Sequence, residues 1–305
     1  MAKDTEGAAR RFQGLDTWGT GEILETLWSS QSRATAACLP ALPMLGRAAD
    51  AAIERLSRGS GRLIYAGAGS AGTLAALDAL ELGPTFDWPS TRLAILLAGG
   101  LDLTRGLDGG AEDDEAGGRS RVRDLRPGSA DVVVGVSASG RSAFTVGIVD
   151  EARRHGALTV AISSIAGSPL IEAAEHGVVV HTGAEVVAGS TRLGAGTAQK
   201  VLLNLFSTAV MTGLGLVFDN LMCNVRPENA KLRQRCITIV SRIAHVGEEA
   251  AADALARHGD VKHAVLGLAG LSHAQAEDAL ARAGGNLRVA LAEIAPKGGN
   301  GSCPR

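Results

Sequence analysis

Short apolar runs alternate with stretches of helical periodicity through the middle of the chain. Five runs rich in Val, Ile and Leu predict strands at Arg62–Ala66, Arg92–Leu97, Asp131–Val136, Leu158–Ile162 and Gly177–His181. Each run is apolar on both faces of its pleat, as in a parallel sheet covered by helices on both sides. Between them the periodicity predicts helices over Ala71–Leu82, Ser142–His155 and Pro169–Glu175. The alternation reads as an α/β fold, a doubly wound five-stranded parallel sheet with right-handed crossovers. Ahead of it, residues 1 to about 30 are weakly periodic and read as an irregular arm. Ser32 to Leu56 reads as a helix interrupted near Pro40 and Pro43. Behind the sheet, Gly196 to about Ala244 reads as a long helical stretch broken near Gly213–Gly215 and Pro227. Gly247 to Ile294 reads as a small helical bundle, and the last residues, PKGGNGSCPR, as a frayed end. The domain expectation is an arm and helix at 1–55, a sheet domain at 56–220, a connecting helix at 221–246 and a small C-terminal helical domain at 247–298.

Composition narrows the partners. The chain of 305 residues is 46% hydrophobic but only 3% aromatic, so its core rests on Ala, Leu and Val. A formal net charge of -2 gives no basic stripe for nucleic acid. No segment approaches 18 uninterrupted apolar residues, so no membrane span is expected. The start, MAKDTEGAARRFQ, lacks the apolar region of a secretory signal. Cys38, Cys223, Cys236 and Cys303 show no C-x-x-C and no His at metal spacing. They read as reduced thiols of a cytoplasmic protein. The seven histidines are read as forming no cluster, and no metal is expected.

Ligands of parallel sheets bind beyond the carboxyl ends of the strands, so the loops there carry the chemistry. Gly67, Gly69 and Gly72 spell G-x-G-x-x-G after the first strand. A dinucleotide loop also needs an acidic residue at the tip of the next strand. That strand ends Leu97-Ala98-Gly99-Gly100, and Asp102 comes too late, so NAD is not expected. Hydroxyls are the stronger signal. Ser70, Ser137, Ser139 and Ser142 lie in Gly/Ser turns that open helices. Such serines either cap the helices or present donors to a phosphate at the positive end of the helix dipole. Two such loops on one parallel sheet favour a phosphate.

Five segments, in order, carry a resemblance: "GRLIYAGAGSAGTLAALDALELGPTF", "GAEDDEAGG", "DVVVGVSASGRSAFTVG", "GAEVVAGSTRLGAGTAQKVLLNLFSTAVM" and "DNLMCNVRPENAKLRQRCITIV". They resemble the sugar isomerase (SIS) fold and, within it, the N-acetylmuramic acid 6-phosphate etherases, over roughly residues 60 to 240. The tail "GLSHAQAEDALARAGGNLRVALAEI" resembles that family's small C-terminal helical domain. The resemblance implies a lyase that releases D-lactate from the sugar phosphate and needs no cofactor, neither metal nor nucleotide. It implies Glu81, in "LELGPTF", as the acid and Glu112, in "GAED", as the second glutamate. On residue type alone each reads as a surface carboxylate. The reaction nevertheless asks for one acid on the ether oxygen and one base at C2, in environments that hold their pKa values apart. Candidate substrate-binding residues are Gly69, Ser70, Ser137, Ser139, Gly140, Ser142, Glu185, Ser190 and Arg192. Glu185 reads either as a ligand of sugar hydroxyls or as a support of its loop. Arg192 and Lys200 read as partners of substrate or of nearby carboxylates.

The chain also departs from the family pattern. Ser70-Ala71-Gly72-Thr73 stands where the family has Thr-Ser-Gly-Arg, and Gly194 stands in place of a lysine. Leu82-Gly83-Pro84 replaces a Pro-Pro turn, and Ala8-Ala9 an asparagine near the start. Two functions compete with the etherase: a non-catalytic sugar-phosphate sensor, and an SIS-type isomerase lacking the "GAED" and "ELGPTF" glutamates. The apolar helix from about Thr197 to Leu216, together with the resemblance, predicts a homodimer.

Overall fold

A computed structural model describes residues 7–102, 104, 106 and 109–294. Five parallel strands appear where the apolar runs predict them: β1 (Leu63–Gly67), β2 (Leu93–Leu97), β3 (Val132–Val136), β4 (Leu158–Ser163) and β5 (His176–Val179). Their order in the sheet is β2-β1-β3-β4-β5. Leu63 pairs with Leu93 on one side and with Val132 on the other. Every residue of β1, β3 and β4 is buried, the state in which an unbroken Val/Ile/Leu run is stable. From β1 the chain steps outward to β2, then crosses to β3 on the opposite side of β1. That reversal opens a crevice between the loops that leave β1 and β3.

The helices follow the strands: α1 (Thr20–Ala36), α2 (Leu42–Leu56), α3 (Gly69–Phe86), α4 (Glu115–Asp124), α5 (Ala143–Arg154), α6 (Pro169–Ala173) and α7 (Gly194–Gly213). The expectation of an irregular N-terminal arm is corrected from Thr20 onward, where α1 begins. Leu24 and Trp28 of α1 are 61% and 75% exposed. Its inward positions, Ile23, Leu27, Ser30 and Ala34, include only two bulky apolar residues, so the stripe is weak in the sequence. Pro43 falls in the first turn of α2, where its missing N–H breaks no bond. Helix α3 runs past Leu82 and carries Pro84 inside its last turn. It is fixed from within: Tyr65 on β1 donates to Asp78 (2.8 Å), and Ser207 on α7 donates to its other oxygen (3.2 Å). Burial, the largest influence, pushes the Asp78 carboxyl up.

The chain divides into two compact units: residues up to Gly83 with Trp88–Val210, and Pro84–Asp87 with the residues from Met211 onward. The second unit holds α8 (Ala230–Ala244), α9 (Glu248–His258), α10 (Val261–Leu268), α11 (His273–Arg282) and α12 (Leu287–Ile294). Asn229, Asp260 and Ser272 cap α8, α10 and α11, so these short helices start where their sequence sets them. Their small and branched residues, among them Ala251, Val261, Leu266 and Ala276, form a core of their own. The reading of scattered histidines is corrected here. His263 and His273 stack at 4.7 Å between ring centroids, and His258 lies 6.0 Å from His273. Residues far apart in sequence meet because the ends of α9, α10 and α11 converge. Cys38, Cys223 and Cys236 are buried and free; Cys303 lies outside the described residues. No helix among the described residues is long and apolar enough to cross a membrane.

Candidate active site

At the mouth of the crevice, β1 runs into α3 through the glycine fingerprint. A Cβ on Gly67 would lie 2.5 Å from Gly72 Cα, and one on Gly72 would lie 2.5 Å from the Gly67 carbonyl carbon. These two glycines let the first turn of α3 sit directly against the strand end. The fingerprint is therefore explained by backbone packing, with no dinucleotide required. Gly69 has φ +54, a left-handed conformation that favours glycine. Ser70 follows it, half-buried, in the first turn of α3. The Thr73 hydroxyl turns back to the Gly69 carbonyl at 3.0 Å, a bond within the helix.

Glu112 reaches the same place from another element. It lies on the short turn Gly110–Asp113 that precedes α4. Its Oε2 is 4.0 Å from the point where a Gly69 Cβ would stand. The Ser142 hydroxyl donates to the Glu112 carbonyl at 3.4 Å, tying this turn to the loop after β3. Burial, chiefly, and the neighbouring Asp113 charge push the Glu112 carboxyl up; a hydrogen bond from Ser142 pulls the other way. A half-buried carboxylate of raised basicity thus faces the start of α3.

The loop after β3 is built from serine oxygens and one left-handed glycine. Ser137 Oγ accepts from the Gly140 N–H (3.1 Å), and Ser139 Oγ from the Arg141 N–H (3.2 Å). Ser142 caps α5, accepting from the Thr145 N–H and, at 3.0 Å, from its hydroxyl. Among the described residues neither Ser137 nor Ser139 donates its own hydroxyl proton. Turn formation and anion binding are therefore compatible: each oxygen shapes the turn while its O–H remains for an acceptor. Gly140 has φ +66, and a Cβ there would be 2.0 Å from Ser168 Oγ. Ser163 supports the loop by donating to the Ala138 carbonyl (3.2 Å), and the Leu170 N–H donates to Gly140 O. Sequence reasoning passed over Ser163 and Ser168. The one available signal was a Ser-Ser pair ending an apolar strand.

The remaining candidates stand elsewhere. Glu185 is buried, and its two oxygens accept from the Gly194 and Ala195 N–H groups, both at 2.8 Å. It neutralises the start of α7, so of its two readings the loop-supporting one has direct partners. Gly194 fits this cap closely, since a Cβ there would be 3.1 Å from Glu185 Oε2. Ser190 is half-buried in the 187–193 turn and Arg192 is exposed. No described hydrogen bond or ion pair links their side chains to the loops after β1 and β3. Glu81 lies on the outer side of α3, 59% exposed, with Lys200 of α7 at 3.3 Å. Twelve residues of helix separate it from Gly69, a rise of about 18 Å. The structure therefore brings Ser70, Gly69, Glu112, Ser137, Ser139, Gly140 and Ser142 around one crevice, and leaves Glu81 outside it.

Residues 124–209 match the SIS domain family. Over most of its length the chain is similar to proteins described as N-acetylmuramic acid 6-phosphate etherase. That of Deinococcus radiodurans is 42% identical over 95% of this chain and 95% of its own. That of Rubrobacter xylanophilus is 44% identical over 92% of each. That of Streptomyces coelicolor is 43% identical over 94% of this chain and 93% of its own. Among solved structures, a phosphoheptose isomerase from Francisella tularensis is similar at 15% identity, with 64% of this chain and 100% of that one covered and a TM-score of 0.42.

Proposed function

We infer the working of this site from the family to which the chain belongs, the N-acetylmuramic acid 6-phosphate etherases. The protein is a carbon–oxygen lyase acting on N-acetylmuramic acid 6-phosphate. It replaces the D-lactyl ether at C3 with a hydroxyl, releasing D-lactate and N-acetylglucosamine 6-phosphate. The sum consumes one water. A base removes the C2 proton of the open-chain aldehyde, and the electron pair forms the C2–C3 double bond as the C3–O bond breaks. An acid protonates the departing lactyl oxygen. Water then adds at C3, and C2 regains a proton.

Glu112 is the base in this reading, and one observation carries it. Its carboxylate is raised in basicity and sits at the start of α3, beside two serine loops suited to the 6-phosphate. Ser70, Ser137 and Ser139 supply hydroxyls, and Gly69 and Gly140 permit close approach of backbone N–H groups. A sensor needs neither glutamate, and an isomerase, which also takes a C2 proton, has no ether oxygen for the second glutamate of "ELGPTF" to protonate, so both readings are less favoured.

Glu81 is the acid, and it comes from a second copy of the chain. Acid and base must each come within about 3 Å of atoms on adjacent carbons. Two groups separated by three turns of α3 do not meet that condition within one chain. The surface around Glu81 suits a copy: Leu77, one turn before it on α3, is 43% exposed, the adjacent Leu80 is 61% exposed, and Leu205 on α7 is 43% exposed. A homodimer through α3 and α7 covers these leucines and carries each Glu81 to its neighbour's crevice. Such an interface buries more than about 1,000 Å². The setting is cytoplasmic, in keeping with a phosphorylated substrate and with buried free thiols at Cys38, Cys223 and Cys236.

The test is incubation of the purified protein with N-acetylmuramic acid 6-phosphate. D-Lactate and N-acetylglucosamine 6-phosphate are expected in equal amounts. Tight binding of the sugar phosphate without lactate release would overturn the etherase reading in favour of a sensor.

A further inference from the structure

The helical unit contains side chains for which the etherase reaction has no use. His263, in the first turn of α10, lies between two carboxylates: its Nδ1 is 2.6 Å from Asp260 Oδ2, and its Nε2 is 2.8 Å from Glu277 Oε2. Only 14% of its side chain is exposed. A neutral imidazole has one N–H. If it is given to Asp260, the Nε2 lone pair points at a carboxylate oxygen, and two acceptors confront each other with nothing between them. Nε2 and Glu277 Oε2 are thus two metal-ligand atoms converging on one point.

His273 brings a third ligand atom to the same place. His273 and Glu277 are one turn apart on α11, an i, i+4 pair that faces one direction. His273 stacks on His263 with an interplanar angle of 24°. The ligand atoms of His263, His273 and Glu277 all lie within 4.8 Å of one another. Tetrahedral bonds of about 2.0–2.1 Å bring ligand atoms to roughly 3.3 Å. His273 and Glu277 are exposed, so a small rotamer adjustment closes the shell. Asp260 holds the Nδ1 proton and so directs Nε2 to the ion, the usual carboxylate support of a metal-bound histidine.

We propose that His263, His273 and Glu277 form a binding site for a divalent transition-metal ion, zinc by ligand type. Two imidazoles and one carboxylate suit that ion and leave its fourth position to water. The ion links the starts of α10 and α11 and stabilises the helical unit, independently of the sheet crevice.

The test uses the full chain, freed of metal by chelation and dialysed against micromolar Zn²⁺, with bound metal counted by elemental analysis. About one ion per chain is expected for the natural protein. His273→Ala should fall close to zero, and Glu277→Gln should bind at least tenfold more weakly. Both positions are exposed, so both variants should fold, which circular dichroism checks. Zn²⁺ should raise the melting temperature of the natural chain and leave that of His273→Ala unmoved. Co²⁺ in place of Zn²⁺ should give the visible absorption of a tetrahedral site. Equal zinc in His273→Ala and the natural chain would place the metal elsewhere and overturn the proposal. A natural chain that stays metal-free after dialysis against Zn²⁺ would overturn it as well.

Discussion

The two ends of α3 are built in opposite ways. At its start, Gly67 and Gly72 allow backbones to press together, Gly140 leaves room for the Ser168 side chain, and Ser137, Ser139 and Ser142 spend their oxygens on the turns they occupy. Toward its end, Leu77, Leu80 and Glu81 stand on an outer face with Lys200 as their polar neighbour. The first region is complete within one chain. The second exposes leucines and a charge that a lone chain has no reason to keep together. A binding crevice can be made by local packing, whereas a reaction that needs two carboxylates in different environments can draw the second from a symmetry-related surface.

The sharpest way to separate the two regions is to neutralise each carboxylate. Glu112→Gln removes the carboxylate proposed as the base, so lactate release and exchange of the C2 hydrogen with deuterated water should both fall, by about 10²–10⁴-fold. In the natural enzyme the acidic limb of kcat/KM should lie above the ordinary glutamate range, because burial raises the Glu112 carboxyl and only its ionised form takes a proton. A limb at or below that range would contradict the assignment. Glu81→Gln should lower lactate release by a similar factor of about 10²–10⁴ and leave C2 exchange measurable, since the carbanion still forms. Loss of exchange as well would mean that Glu81 does more than protonate the leaving oxygen.

Charge on the outer face should affect assembly before chemistry. Leu80→Asp puts a charge in the proposed interface between two copies, so light scattering should show monomers. Activity should fall at least about tenfold, and further on dilution, while phosphate binding at the serine loops persists. A dimeric, active Leu80→Asp would move the interface away from α3.

The smallest effect concerns the sheet alone. Asp131 is buried; burial raises its carboxyl, but hydrogen bonds from the Arg62 side chain and from the Arg62 and Gly128 N–H groups outweigh that and hold it below the usual aspartate range. Its contribution is present above the unfolded aspartate pKa and is lost as pH falls through the lowered folded value. Glu112 has the opposite sign: its raised pKa favours the fold below the ordinary glutamate value, and that benefit is lost as pH rises through the raised one. Asp131→Asn should cost about 1–3 kcal/mol in urea unfolding at neutral pH and flatten the loss of stability in acid. An unchanged midpoint would show that the Arg62 pair adds nothing.

The strands could be read from the sequence because β1, β3 and β4 are buried on both faces, so each side chain reports the same environment. Helix α1 could not, because Leu24 and Trp28 point away from the core. The serine loops and the "GAED" turn were legible as local patterns at strand ends. The role of Glu185 was not, since capping α7 depends on a loop folding back nine residues to Gly194. The seclusion of Glu81 from Glu112 was equally invisible, because motif order along the chain carries no distance. The histidine cluster needed the convergence of α9, α10 and α11, which no spacing in the sequence encodes.

The claim that one site is made by two chains can be tested by mixing two inactive proteins. Glu81→Gln and Glu112→Gln are unfolded together and refolded in equal amounts, and lactate release is compared with each variant refolded alone. Half of the resulting dimers pair unlike chains, and each of these has one site with both natural carboxylates and one with neither. The mixture should therefore recover about a quarter of natural activity. Recovery no greater than the sum of the two variants, with mixed dimers shown to be present, would mean that each chain supplies both glutamates to its own crevice.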